Sequence, residues 1–202
     1  MNHLDRIFNG EILEFSKLYF SHLKDIFDSL DLNEIEIFSQ KLLDAREKSS
    51  SIFFIGNGGS AATASHFAND ISIGTRSHKK PFRAISLTDN QAIITAIGND
   101  YGYQNIFIDQ IKNYANPGDF LVAISASGNS ENLINSIEYC NKNGINTFSI
   151  TSFDGGILKK IANNNLHVPT EKGEYGPAED VHMIIAGLVG SYLIRYVREE
   201  NS

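Results

Sequence analysis

The sequence holds one cysteine, Cys140, so no internal disulfide can form and a cross-linked scaffold is excluded. Cys140 shares a helical stretch with Ile134 and Ile137, without an activating neighbour, and reads as a plain core residue. No basic segment leading into an apolar run opens the chain, so no signal peptide is expected. The most apolar stretch, residues 183–194, contains Ser191 and Tyr192 and is too short to cross a bilayer. A cytoplasmic protein without a membrane partner is therefore expected. Long basic runs are missing as well: 24 acidic residues face 17 basic ones, for a net charge of −7. A nucleic-acid backbone is not an expected partner of such a chain. Two nucleotide signatures are also absent. Residues 56–62 lack the Gly-Lys-Ser/Thr of a Walker loop and do not give G-x-G-x-x-G, and no acidic residue follows the second candidate strand at the ribose position.

What is present fits one soluble domain: 202 residues, 42% hydrophobic and 20% charged. Residues 4–30 carry apolar positions at helical spacing, and Asp31 and Asn33 break that pattern and cap a second helix over 33–48. These N-terminal helices (1–48) are expected to form a hairpin docked on the domain or on another subunit. From residue 50 to 202 the pattern becomes an α/β core. Short apolar runs at 51–56, 82–87, 120–125, 147–151 and 166–169 predict five strands. Helices are predicted at 60–73, 90–98, 102–115, 130–143, 155–162 and 177–199. The alternation predicts three α/β/α layers around a parallel sheet, of order 2-1-3-4-5 for a doubly wound fold. In the last helix Val181, Ile184, Ile185, Leu188, Val189, Tyr192, Leu193, Tyr196 and Val197 form an apolar stripe. Ala186, Gly187, Gly190 and Ser191 lie largely off it and permit close packing against a second backbone, within the chain or across a subunit interface.

The first strand ends in Gly56-Asn57-Gly58-Gly59-Ser60 and runs straight into a helix. Glycines allow a sharp turn and close approach of a ligand, and the helix start offers free N–H groups and a positive dipole end. The third strand ends in Ser125-Ala126-Ser127-Gly128-Asn129-Ser130, again before a helix, and supplies hydroxyl and backbone donors suited to phosphate oxygens. Either loop alone reads as an ordinary capped turn, with Ser127 or Ser130 as the cap. After strands one and three of such a sheet, both face the crevice at the strand carboxyl ends where ligands bind. Together they predict an anion site that uses no lysine.

These loops, with His66-Phe67-Ala68 and Asn99-Asp100-Tyr101-Gly102-Tyr103, make the chain resemble the SIS (sugar isomerase) domain family, in its phosphoheptose isomerase branch. The resemblance spans nearly the whole chain. It implies a homotetramer that interconverts a ketose 7-phosphate and an aldose 7-phosphate, such as sedoheptulose 7-phosphate and D-glycero-D-manno-heptose 7-phosphate. It also implies substrate contacts from Asn57, Gly58, Gly59, Asn99, Asp100, Ser125, Ala126, Ser127 and Ser130, to which the loop reading adds Ser60. Without the resemblance, Asn99-Asp100 reads equally as an Asx turn.

Isomerisation through an enediol needs a base and an acid or metal. The family places a carboxylate on the helix after the first loop and a histidine on the last helix, and some members bind zinc through a His and Glu from the first helix and a Gln and His from the last. The resemblance maps the first pair onto His66 and Asp70, with Asp in place of the longer Glu, and the Gln onto Glu179. The family's catalytic histidine falls on Gly187 and is missing, while His182, three residues after Glu179, is a further imidazole on the last helix. His66, Asp70 and Glu179 are thus the catalytic candidates, and the same three with His182 are the zinc candidates. The alternative is that both histidines are structural and the carboxylates are surface charges. The loss at Gly187 motivates a second function: a catalytically altered sugar-phosphate-binding or adaptor protein, such as one associating with a replication initiator.

Overall fold

A computed structural model describes residues 1–77 and 79–200; His78, Asn201 and Ser202, part of the expected core region, lie outside the described residues. In chain order the helices are α1 (His3–Ile7), α2 (Ile12–Asp28), α3 (Leu32–Glu47), α4 (Gly59–Asn69), α5 (Gln91–Asp100), α6 (Ile108–Tyr114), α7 (Glu131–Lys142), α8 (Leu158–Ile161) and α9 (Tyr175–Glu200). The strands are β1 (Ser51–Gly56), β2 (Arg83–Ser86), β3 (Phe120–Ser125), β4 (Asn146–Ser152) and β5 (Asn164–Val168). All pair in parallel, in the order β2-β1-β3-β4-β5, as the alternating pattern predicts.

Successive strand residues point to opposite faces, so each inner strand feeds two cores. On one face Ile52, Phe54, Val122, Ile124, Phe148 and Ile150 pack with apolar residues of α3, α4 and α9. On the other, Phe53, Ile55, Leu121 and Ala123 pack with α6, α7 and α8. The helices after β1 and β3 therefore cover opposite faces, which opens a crevice between those two strand ends. Cys140 is fully buried in the second core, where burial pushes its thiol up to about 12, in keeping with a packing role.

Several predicted helices are divided. The helix over 4–30 breaks at Asn9 and Gly10 into α1 and α2. The one over 60–73 ends as α4 at Asn69 and continues as a π turn over Asp70–Gly74, in register with α9 beside it. The one over 102–115 opens as a 3₁₀ turn at Tyr103–Asn105, because the Tyr103 hydroxyl is drawn to Asn57 at 2.9 Å. The one over 155–162 shrinks to α8, because residues 155–158 instead brace the loop after β3: Asn129 Oδ1 accepts from the Ile157 N–H at 3.1 Å, and the Gly128 carbonyl from the Leu158 N–H at 3.0 Å.

The apolar stripe expected on the last helix is split in two. Val181, Ile185, Val189, Leu193 and Val197 are buried, whereas Ile184, Leu188, Tyr192 and Tyr196 are exposed. Of the small residues, Ala186 and Gly190 are buried within the chain, and a Cβ at Gly190 would stand 3.3 Å from the Asp70 side chain, whereas Gly187 borders open space and Ser191 is exposed. At 26 residues α9 is long and apolar enough, by length and composition alone, to cross a membrane. Part of that apolarity belongs to the core it covers, and part to the exposed row Ile184, Leu188, Tyr192 and Tyr196.

Candidate active site

Gly58 caps α4 at φ 54°, ψ −122°, a backbone state that a side chain would strain, and its turn leaves the first N–H groups of α4 facing the crevice. Gly58 and Gly59 are exposed, and Ser60 is buried in the first helical turn. Gly59 is also a point of close approach: a Cβ added there would collide with the Glu179 carboxylate from α9.

In the second loop the serine hydroxyls shape the turn while keeping their protons. Ser125 Oγ accepts from the Gly128 N–H at 3.1 Å, and Ser127 Oγ from the Asn129 N–H at 3.3 Å, so each O–H stays free to donate outward. Ser130 is the N-cap residue of α7, yet its hydroxyl makes no capping bond, contrary to the plain-turn expectation, and it too is free for a ligand. The Ala126 carbonyl accepts from the Ser152 N–H at 3.0 Å, tying the loop to β4. Gly128, at φ 64°, lies so close to the Gly155 carbonyl that a side chain would not fit.

The two loops converge. Gly56 pairs with Ile124 across β1 and β3, and Asn57 and Asn132 exchange amide hydrogen bonds at 3.0 and 2.9 Å. Asn57 Oδ1 also accepts from Tyr103. The helix starts of α4 and α7 thus present N–H groups and positive dipole ends to one crevice from opposite faces. Each helix end favours a bound anion by about 0.3–1 kcal/mol. Asn132 and Tyr103, which hold this geometry, escape the loop reading because their partner lies far away in sequence; Asn132 follows the second loop, and Tyr103 ends the quoted 99–103 motif. Asn99 and Asp100 stand exposed at the end of α5, bonded to each other at 2.7 Å, without a described bond to either loop.

The ionisable candidates do not form one cluster. His66 Nε2 lies 3.2 Å from Asp70 Oδ2, the pairing that i,i+4 spacing on α4 predicts. Asp70 heads the π turn and packs on Gly190. Glu179 stands apart, over Gly59 at the rim of the crevice, where burial first and Asp180 second hold its carboxyl above the usual carboxylate range. Gly187, where the resemblance expects a histidine, borders open space: a Cβ there meets nothing within 4 Å.

His182 corrects the sequence expectation. It is fully buried against the end of β4, with Nε2 3.0 Å from Ser152 Oγ and Nδ1 unpartnered, and burial pushes its pKa down to about 4. It is a neutral core residue, away from His66 and Asp70. Among the described residues no group of three or more His, Cys, Asp or Glu side chains converges to hold a metal ion. The donor set His66, Asp70, Glu179 and His182 therefore does not fit a zinc ion within one chain: a bonded pair, a carboxylate at the crevice rim and a buried imidazole face different surroundings.

A family model described as SIS domain matches residues 18–152. The chain is 38% identical over 143 residues to a probable phosphoheptose isomerase of Thermoplasma acidophilum, covering 71% of this chain and 79% of that one. It is 31% identical over 187 residues to the phosphoheptose isomerase of Chlorobium phaeobacteroides, covering 92% and 82%. Among solved structures, a phosphoheptose isomerase from Neisseria gonorrhoeae superposes with a TM-score of 0.80 at 24% identity, over 91% of this chain and 98% of that one. One from Francisella tularensis gives 0.78 at 24% identity, over 97% and 100%. At that identity the structures establish the shared fold alone.

Proposed function

Because this chain belongs to the SIS domain family, among the phosphoheptose isomerases, we propose that it is an aldose–ketose isomerase acting on a sugar phosphate, with sedoheptulose 7-phosphate as the leading substrate. The observation that carries this reading is the convergence of two phosphate loops beside a carboxylate whose pKa is raised. The phosphate is held by N–H groups at the α4 start and by the hydroxyls of Ser125, Ser127 and Ser130. Asn99 and Asp100 face the sugar hydroxyls.

Glu179 is the base. It takes the proton from the carbon beside the carbonyl to give an enediol and returns it to the neighbouring carbon. A carboxylate with a raised pKa suits this exchange, since a base close in pKa to the operating pH both accepts and returns a proton. His66, 3.2 Å from Asp70, is assigned to positioning the substrate. The proposed step uses no metal, since the donors described within one chain do not converge.

The assembly is a cytoplasmic homotetramer. Support comes from the exposed row Ile184, Leu188, Tyr192 and Tyr196 and from a groove of about 350 Å³ that Leu188 and Tyr192 share with Leu32, Ile35 and Leu43.

The test is to incubate the purified protein with sedoheptulose 7-phosphate, with and without zinc, and to follow product by NMR. Conversion unaffected by zinc or chelator is expected. No conversion of this or any related ketose phosphate overturns the enzyme reading and leaves the binding or adaptor function that Gly187 motivates.

A further inference from the structure

Glu179 and Asp180 sit in the second turn of α9, just past the helix start at Tyr175. On the N-terminal side lie exposed Lys172 and Gly173, the latter at φ +95°. Two side chains of α2 reach the start of this helix. The Tyr19 hydroxyl donates to Asp180 Oδ2 at 2.5 Å, and its oxygen lies where a side chain at Gly176 would come within 3.2 Å. His22 Nε2 stands 3.1 Å from Oε1 of Glu174, the residue just before α9. Glu174 is fully buried; its Oε2 accepts from the Glu171 N–H at 2.8 Å, whereas Oε1 and His22 Nε2 touch without a hydrogen bond between them. His3 from α1 stacks on the His22 ring at 4.0 Å, and Arg6 pairs with Glu171. That last pair is about half exposed and contributes little by itself. The held residues, Glu174 and Asp180, bracket Glu179 in sequence, and neither carries a proton in the reaction; Asp180 acts on Glu179 through its charge.

We propose that Tyr19 and His22 are positioning residues: from α2 they clasp the N-terminal part of α9, at Glu174 and Asp180, and so keep the Glu179 carboxylate against Gly59 at the crevice rim. The inference rests on the assignment of Glu179 as the base. It gives the N-terminal helices a role in the reaction without contact with the substrate. The phosphate loops lie on other elements and are untouched by the clasp, so substrate affinity and turnover separate.

The variants are Tyr19→Phe, which removes one oxygen, His22→Ala, and His22→Gln, which keeps a polar side chain beside Glu174. In Tyr19→Phe and His22→Ala, kcat for sedoheptulose 7-phosphate is expected to fall by about ten- to hundredfold with KM within about twofold, the pattern of a displaced reacting group beside an intact binding site. His22→Gln recovers most of the loss. Amide hydrogen exchange over residues 174–180 accelerates in the first two variants and not in the third. Unchanged kcat in Tyr19→Phe, a rise in KM at constant kcat, or unchanged exchange over 174–180 overturns the clasp. If His22→Ala does not fold, Tyr19→Phe carries the test. If the wild-type protein turns over no sugar phosphate, the isomerase reading falls, and exchange in Tyr19→Phe alone supports or overturns the clasp.

Discussion

At the scale of single residues, the reaction is assigned to Glu179 and its surroundings. A base works only when ionised, so activity rises as pH climbs through its pKa. Burial and the neighbouring Asp180 raise that pKa. The acid limb of the kcat/KM profile is therefore expected above the ordinary carboxylate range, at a higher pH than an exposed Glu would give. Glu179→Gln keeps the shape and removes the base; a loss of about 10²–10⁴-fold in kcat is expected, read in the same NMR assay. Asn57 makes a second test. Asn57→Ala strips the Asn132 amide and the Tyr103 hydroxyl of their partner, which costs about 1–3 kcal/mol in a urea titration. The sequence shows that Gly59 must be small for some close approach, but not that Glu179 is what approaches, since the two are far apart along the chain. His182 misleads for the related reason that helical spacing fixes an angle around α9 and says nothing about whether that angle meets a crevice or the end of β4.

At the scale of elements, two strand-to-helix turns make the proposed phosphate site, and they were legible because their chemistry is local. Glycine at a turn with positive φ, hydroxyls before a helix start and a strand that stops short are all properties of adjacent residues. Replacing Ser127 and Ser130 together by Ala removes two donors to a dianion. Affinity for a sugar phosphate, measured by calorimetry, is expected to weaken by about ten- to hundredfold, given that hydrogen bonds to charged groups are worth about 1.5–3 kcal/mol and water partly replaces them. Along α9, Gly187 borders open space, so Gly187→His should be accommodated with a melting temperature within about 2 °C of the wild type, as for surface changes that touch nothing. An imidazole at that position adds a second proton-transfer group, and an increase in kcat is expected. The break in the helix over 102–115 was not legible, because the Tyr103–Asn57 contact is tertiary; the break over 4–30 is local, with Gly10 at φ +87° and Asn9 Oδ1 accepting from the Glu11 N–H, and apolar periodicity on both sides hid it.

At the scale of the whole molecule, the parallel sheet of order 2-1-3-4-5 follows from alternating element types, buried strands that read as continuous apolar runs, and crossover helices on both faces. What the alternation does not carry is how the N-terminal helices join the rest. That union combines apolar side chains such as Ile26, Phe38 and Leu42, buried in the first core, with polar contacts such as Tyr19 with Asp180, which leave no periodic trace. The exposed apolar row on α9 belongs to the same scale. Light scattering of the purified protein is expected to give four times the chain mass, and a monomer would remove the tetramer from the account. The most direct measurement is a crystal structure of the protein with sedoheptulose 7-phosphate. The phosphate is expected between residues 56–60 and 125–130, within about 2.7–3.2 Å of the Ser127 and Ser130 hydroxyls and of N–H groups at the α4 start. A dianion bound elsewhere, or a crevice still empty at saturating sugar phosphate, contradicts it.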